Sequence, residues 1–261
     1  MKAVEEIYNS TNFKECKKHL FFRGQSNEEW YITPRIARNG GKEKTFVLDF
    51  HHYSASHSID YDLDKDRVSL LEDMQHYGIP TRLLDWTVAP LNALFFAVEN
   101  KIDDKDAVVY VLDPWKYNKE LLVKYGKTYG SHPKIHDAHI YARALLSTCD
   151  DLKFIKKVVK KRFGYAIDDK ELEYPFAFVS NYKNQRVRYQ KGSYTIMGTS
   201  NIDMMNQVIF QDNYERIFIP NDKISDIYEQ LHRLYINEYT VYPDLEGMQK
   251  LFARKQGLFK I

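Results

Sequence analysis

Apolar positions along the chain fall into short runs and helical stripes separated by charged loops. Residues 2–18 predict a surface helix, followed by a short apolar strand, Leu20-Phe21-Phe22, that runs into Arg23-Gly24-Gln25. Residues 26–45 read as loop, with Trp30, Tyr31, Pro34-Arg35 and a Gly40-Gly41 break, and residues 44–57 as helix. Val68, Leu71 and Met74 share one face of the next helix. It stops at Gly78 and Pro80, because Gly supplies a left-handed cap and Pro cannot continue the hydrogen-bond ladder. Thr87 as a cap and Pro90 in the first turn open another helix. Its stripe of Leu91, Leu94, Phe95 and Val98 marks a core helix, and Ala93 and Ala97 permit close packing. Residues 107–112, AVVYVL, are a buried strand closed by Asp113-Pro114.

Residues 115–175 read as an inserted helical region. After Pro175 the chain turns β-like: Gln185-Arg186-Val187 precedes a strand-like stretch, 190–198, with Gly192 and Gly198 inside it. Residues 209–211 and 215–220 predict further strands, 222–234 a helix, and 239–242 a strand ending in Pro243-Asp244-Leu245-Glu246-Gly247. A last helix carries Met248, Leu251 and Phe252. The expected fold is α+β: a single domain over 1–261 with a central, mostly antiparallel sheet flanked by helices, and a helical insertion at about 115–175.

Composition narrows the function more than the fold. With 38 basic against 36 acidic residues, the net charge of +2 does not point to a generic nucleic-acid or membrane-surface binder. Cys16 and Cys149 lack metal-ligand spacing and are too few for a disulfide framework. The expectation is a reduced, cytoplasmic protein without a signal peptide or membrane span. His132, His136 and His139 have helical spacing, but no carboxylate or Cys completes a metal set, so no metal is expected. Residues 153–162 form an amphipathic basic segment, read either as a solvated helix face or as a nucleic-acid contact. No P-loop, GxGxxG, HExxH, GxSxG or CxxC pair occurs.

The candidate chemistry concentrates in residues 70–98, where Gln75, His76, Thr81, Arg82, Asp85, Trp86 and Thr87 are embedded in core-forming sequence. Polar groups so placed must pair with each other, the backbone or a ligand, since each left unpaired costs roughly 1–3 kcal/mol. Arg23 at a strand end, followed by a Gly that admits another backbone or a ligand, is either an anion-binding corner or a fold-holding arginine. His76 in a last helical turn suits a polar role, or a structural bond to a carbonyl.

Four stretches together resemble the FRG domain family, named for its Phe/Tyr-Arg-Gly motif. They are Phe22-Arg23-Gly24-Gln25; residues 74–87, MQHYGIPTRLLDWT, with the helix at 93–98; Arg186 with Gln190, Gly192 and Tyr194; and residues 243–247, PDLEG. The resemblance implies a bacterial or phage-associated domain. The Arg23-Gly24 corner is also similar to the first catalytic strand of ADP-ribosyltransferases, where a strand Arg receives the phosphate of NAD. On that likeness Gln190-x-Gly192-Ser193-Tyr194-Thr195 stands for the nicotinamide-lining strand, with Tyr194 stacking on a ring. Glu246 stands for the late acidic residue, with Asp85 or Asp244 as alternatives because no Glu-x-Glu pair is present.

The implied site has Arg23, His76 and Glu246 as catalytic residues and Gly24, Gln25, Gln75, Thr81, Arg82, Asp85, Gln190 and Tyr194 as binding residues. Arg82 and Asp85 are expected to form an internal ion pair. The implied substrate is NAD, the implied partners a nucleotide and a protein or nucleic-acid acceptor, and the implied role that of a toxin or anti-phage effector. Two other classes stay open: a non-catalytic module that recognises a nucleotide or phage component, and a nucleic-acid-processing protein using the basic segment at 153–162.

Overall fold

The computed structural model of the chain describes residues 20–39, 42–63, 66–124, 156, 157, 160, 173–180, 182–198, 211 and 213–256. Six strands form one sheet: β1 (Phe21–Gln25), β2 (Leu83–Thr87), β3 (Ala107–Leu112), β4 (Phe176–Val179), β5 (Gly192–Ile196) and β6 (Tyr214–Ile219). Their order is β4-β5-β2-β1-β3-β6, and every pair is antiparallel. Together with the helices this is the expected α+β fold.

The ladder is uneven. β1 pairs with β3 from Phe21↔Leu112 to Gln25↔Val108, and β2 pairs with β5 from Leu83↔Ile196 to Thr87↔Gly192. β1 and β2 meet only at Phe22↔Thr87. The sheet is therefore two three-stranded halves that part beyond one bridge.

The helices are α1 (Arg35–Asn39), α2 (Glu43–Ser54), α3 (Arg67–His76), α4 (Pro90–Val98), α5 (Pro114–Lys124), α6 (Gln185–Gln190), α7 (Ile224–Arg233), α8 (Glu238–Val241) and α9 (Leu245–Lys255). On one sheet face the halves are covered separately. Val68, Leu70, Leu71 and Met74 of α3 cover Leu83, Tyr194, Ile196 and Phe178, while α4, α7 and α8 cover Phe22, Val109 and Val111. The opposite face carries Phe21, Leu84, Trp86, Tyr110 and Leu112 against Ile32 and Tyr117. Fully buried side chains of this kind each contribute roughly 1.5–3 kcal/mol, so two small cores on one face hold a groove open between them.

Gly24 decides how close α4 comes. A Cβ there would lie 2.0 Å from the Ala93 carbonyl oxygen and 2.5 Å from the Ala97 nitrogen. Of the two readings of this glycine, close approach of another backbone is what the fold shows. Gly78, at φ +81°, ends α3 as predicted.

Some expectations need correction. Residues 239–242 belong to α8 and the turn after it, not to a strand. Asn237 accepts from the Tyr239 and Thr240 amides, and the Thr240 side chain bonds back to the Asn237 amide, a capping box that outweighs the β-forming composition. Gln185-Arg186-Val187 and Gln190 lie on α6, capped by Asn184, and the strand begins only at Gly192, after Lys191 turns left-handed at φ 52°. Thr87 ends β2; the N-cap position of α4 is Ala89, although the Thr87 hydroxyl still accepts from the Ala89 amide. Of residues 209–211 only Gln211 is described, and it is helical. The helix expected at 2–18, both cysteines, His132, His136, His139, most of the insertion at 115–175 and all but three residues of the basic segment lie outside the described residues.

Candidate functional site

Where the two half-sheets part, a cleft of about 620 Å³ opens, lined by β1, β2, the C-terminal end of α3, α6, the start of β5, the end of α4 and the α8–α9 junction. Its floor is made by the parted strands. Arg23 reaches across the opening, its Nη1 donating to the Asp85 backbone oxygen at 2.7 Å. That guanidinium takes a position that a continuing ladder would give to a backbone amide.

The Asp85 side chain is open to the cleft yet ringed by protein. It is held by a relay: the Leu83 amide donates to Thr81 Oγ1 at 3.2 Å, the Thr81 hydroxyl donates to Gln75 Oε1 at 2.6 Å, and Gln75 Nε2 donates to Asp85 Oδ1 at 2.6 Å. Thr81 is 1% exposed, so the relay runs from core to cleft. Burial pushes the Asp85 carboxyl above the usual carboxylate range, while Arg23, the Gln75 bond and Arg186 oppose the rise. Burial also lowers the Arg23 guanidinium below its ordinary value, and the charge of Asp85 counters it.

Several buried polar atoms on the cleft wall have no hydrogen-bond partner among the described residues: Arg23 Nε, Gln25 Oε1, Glu72 Oε1 and His76 Nδ1. Buried polar groups are paired in the great majority of folded proteins, and clustered exceptions mark places where something else binds.

Residues 18–106 match the FRG domain. The chain carries an FRG domain. The match runs from just before β1 to the residue before β3 and so includes Arg23, Gly24, Gln75, His76 and Asp85. No curated protein and no solved structure matches the chain.

The remaining walls of the FRG-domain cleft come from beyond the matched residues. Arg186 of α6 lies over the Tyr242 ring at 4.7 Å, with Lys250 at 4.6 Å on the same ring. Glu246, in the first turn of α9, is 2.9 Å from Lys250 and 3.8 Å from Arg186, at the rim. The Tyr242 hydroxyl donates to Glu99 at 2.7 Å. Arg35, Arg38 and the half-exposed Trp30 stand at the mouth.

Nine of the predicted site residues therefore surround one cleft: Arg23, Gly24, Gln25, Gln75, His76, Asp85, Gln190, Tyr194 and Glu246. Thr81 supports it from behind. Arg82 does not join it, and the expected Arg82–Asp85 pair is absent. Arg82 turns to Glu43, which accepts from its backbone amide at 2.6 Å and from Nε at 2.5 Å. Arg82 lies in the bend just before β2, where Glu43 captures it, while Asp85 is in the middle of the strand. Tyr194 is 4% exposed and stacks on Phe178 at 5.6 Å, so its ring is committed to the core rather than free for a ligand. The Gln190 backbone carbonyl is likewise occupied, accepting from Thr87 Oγ1 at 2.6 Å and Asn92 Nδ2 at 3.1 Å.

Sequence reasoning missed Glu72, Glu99, Tyr242 and the arginines at the mouth. For Glu72 there was a signal: it is a carboxylate within the apolar stretch that holds Leu70, Leu71 and Met74. Among the described residues no helix is long and apolar enough to cross a membrane, and no group of three or more His, Cys, Asp or Glu side chains could hold a metal ion.

Proposed function

We propose that the cleft binds NAD and that the FRG domain is an ADP-ribosyltransferase-like or NAD glycohydrolase enzyme. The reading is carried by one juxtaposition: at the opening of the sheet Arg23 is bound to the backbone oxygen of Asp85 and interacts electrostatically with that residue's carboxylate. A cleft of about 620 Å³ lies within the roughly 300–1,000 Å³ typical of small-molecule sites. Arg23, whose Nε has no partner among the described residues, donates to the diphosphate, and Arg35 and Arg38 add positive field at the mouth. Asp85, held still by Gln75, faces the ribose and stabilises positive charge as the bond to nicotinamide lengthens. That bond breaks with its electron pair on the nicotinamide nitrogen. Water or an acceptor group then bonds to the ribosyl carbon and gives up its proton.

Asp85 takes the acidic role in preference to Glu246, which stands at the rim and is engaged by Lys250. In this reading His76, with Nδ1 unpartnered among the described residues, takes the acceptor's proton. Consumption of NAD is the route by which such a protein would act as a toxin or anti-phage effector.

Chromatography of nicotinamide released from NAD tests the reading. Turnover by the wild type, reduced about 100-fold or more in a folded Asp85→Asn variant, is the expected result. Binding of NAD without release of nicotinamide by the wild type would remove the enzymatic reading. It would leave a recognition module, which the engagement of Arg23 Nη1 by a backbone carbonyl also suits.

A further inference from the structure

The cleft carries two carboxyl groups on its inner wall that serve different neighbours. Asp85 faces Arg23 and Arg186 and is bound by Gln75. Glu72, one turn before Gln75 and His76 on α3, is 2% exposed, lines the cleft, and has an Oε1 without a partner among the described residues. Its carboxyl takes a hydrogen bond from Ser180 and interacts with Asp73 of its own helix and with Lys183. Lys183 is largely exposed and lies 3.2 Å from Asp66, so it is not a dedicated counter-ion for Glu72. The Tyr194 hydroxyl on β5 is within electrostatic reach of both Glu72 and Asp85. The cleft thus has an arginine end and an inner carboxyl end, one of whose acids has no ion pair among the described residues.

We propose that Glu72 and Asp85 form the receptor for a positively charged ring, so that the cleft selects the oxidised, cationic form of its dinucleotide. This rests on the reading of the cleft as an NAD site. Burying an ionised carboxylate with no paired cation is costly, and a ligand that brings the missing charge recovers that cost only when it binds. A molecule with a diphosphate and a pyridinium ring answers both ends. The reduced dinucleotide keeps the diphosphate but has a neutral ring and answers only the arginine end.

The protonation of the inner wall fits this selection. Burial pushes the Glu72 carboxyl up to about 7, so near neutral pH it is substantially protonated. A cationic ring favours the carboxylate, so NAD⁺ binding expels a proton and tightens as pH rises from 6 to 8. Binding of NADH does neither. The other groups facing this end are Asp73, Asp85, Tyr194, Lys183 and, one turn along α3, His76, with Arg23 and Arg186 also lining the cleft. A His76→Gln control separates the part played by that imidazole.

The test is calorimetric titration of the full chain with NAD⁺ and with NADH at pH 6 and pH 8, repeated in two buffers of different ionisation enthalpy. Wild type is expected to prefer NAD⁺ by about tenfold or more at pH 8, a difference of roughly 1.4 kcal/mol, with proton release on binding. In Glu72→Gln, nearly isosteric and checked by thermal melting, the proton release disappears and the preference shrinks to the part that Asp85 supplies. Equal affinity of wild type for the two forms overturns the inference and leaves the NAD site standing. So does a preference that is undiminished in a folded Glu72→Gln, and the wild-type comparison decides alone if that variant fails to fold. Binding of neither form overturns the NAD reading itself, and the inference with it.

Discussion

Gly24→Ala separates the two halves of the Arg-Gly motif more sharply than any other substitution. The added methyl would sit 2.0 Å from the Ala93 oxygen and 2.5 Å from the Ala97 nitrogen, both backbone atoms of α4. Neither can rotate away, so the helix must withdraw by roughly 1–1.5 Å to restore ordinary contact, and overpacking of that kind costs typically 1–3 kcal/mol and occasionally more. Ala93, Leu94, Phe95, Ala97 and Val98 are all buried on α4, so withdrawal loosens a whole core cluster and the upper end, about 3 kcal/mol, is expected. For a chain of this size 1 kcal/mol moves the melting temperature by roughly 2–4 °C, which puts the drop at about 6–12 °C. Arg23→Ala loses one hydrogen bond to the Asp85 carbonyl, worth about 1 kcal/mol, and should melt within a few degrees of wild type. Thermal unfolding of the two variants followed by circular dichroism is the assay. A Gly24→Ala protein melting within about 2 °C of wild type, or an Arg23→Ala protein melting below the Gly24→Ala protein, would refute this division of roles.

Three other outcomes are expected. Glu43→Ala takes the counter-charge from Arg82 and the acceptor from its Nε and amide, leaving Nη1 on the Met197 and Gly198 carbonyls; it should cost about 3–5 kcal/mol in urea denaturation, whereas a loss below about 1 kcal/mol would mean that the pair does not hold the α2–β2 junction. Thr81→Val leaves Gln75 Oε1 and the Leu83 amide without a donor and an acceptor; a loss of roughly 1–3 kcal/mol is expected, together with weaker ligand binding because Gln75 no longer fixes Asp85. Glu72 has a raised folded-state pKa, about 7 against an ordinary 4.5, so the folded protein keeps a proton that the unfolded chain loses. Stability from this group is full below about pH 4.5 and falls as pH rises to about 7, by up to about 3 kcal/mol. Glu72→Gln should therefore gain on wild type between pH 5 and pH 8, and a pH-independent difference between them would count against a buried, protonated Glu72.

Much of the fold was legible because its signals are local. The Gly78-Pro80 stop, Pro90 at the start of α4, the Ala93/Ala97 packing face and the all-apolar β3 each declare themselves within a few residues. Residues 239–242 were misread because four β-forming residues outweigh one asparagine on paper, while in the chain Asn237 and Thr240 satisfy each other and fix a helical turn. The site was legible as a set and not as a geometry. Polar residues in apolar sequence had to converge somewhere, and most of them do. Which of them would touch was set by tertiary placement: the bend before β2 gives Arg82 to Glu43, the strand gives Asp85 to Gln75, and a single bridge at Phe22–Thr87 opens the sheet beside them. No local pattern encodes that parting, which depends on β3 and β5 pairing with the outer edges of β1 and β2.

The central claim is that the opening between the half-sheets is a dinucleotide site built on Arg23. Calorimetric titration of the wild-type chain with NAD, beside Arg23→Ala shown to be folded by its melting curve, addresses it most directly. Micromolar binding by the wild type, weakened at least tenfold by loss of the arginine without a matching loss of stability, is the predicted result. Wild-type protein that shows neither heat nor a thermal shift at millimolar NAD, or a folded Arg23→Ala that binds as tightly as wild type, would contradict it.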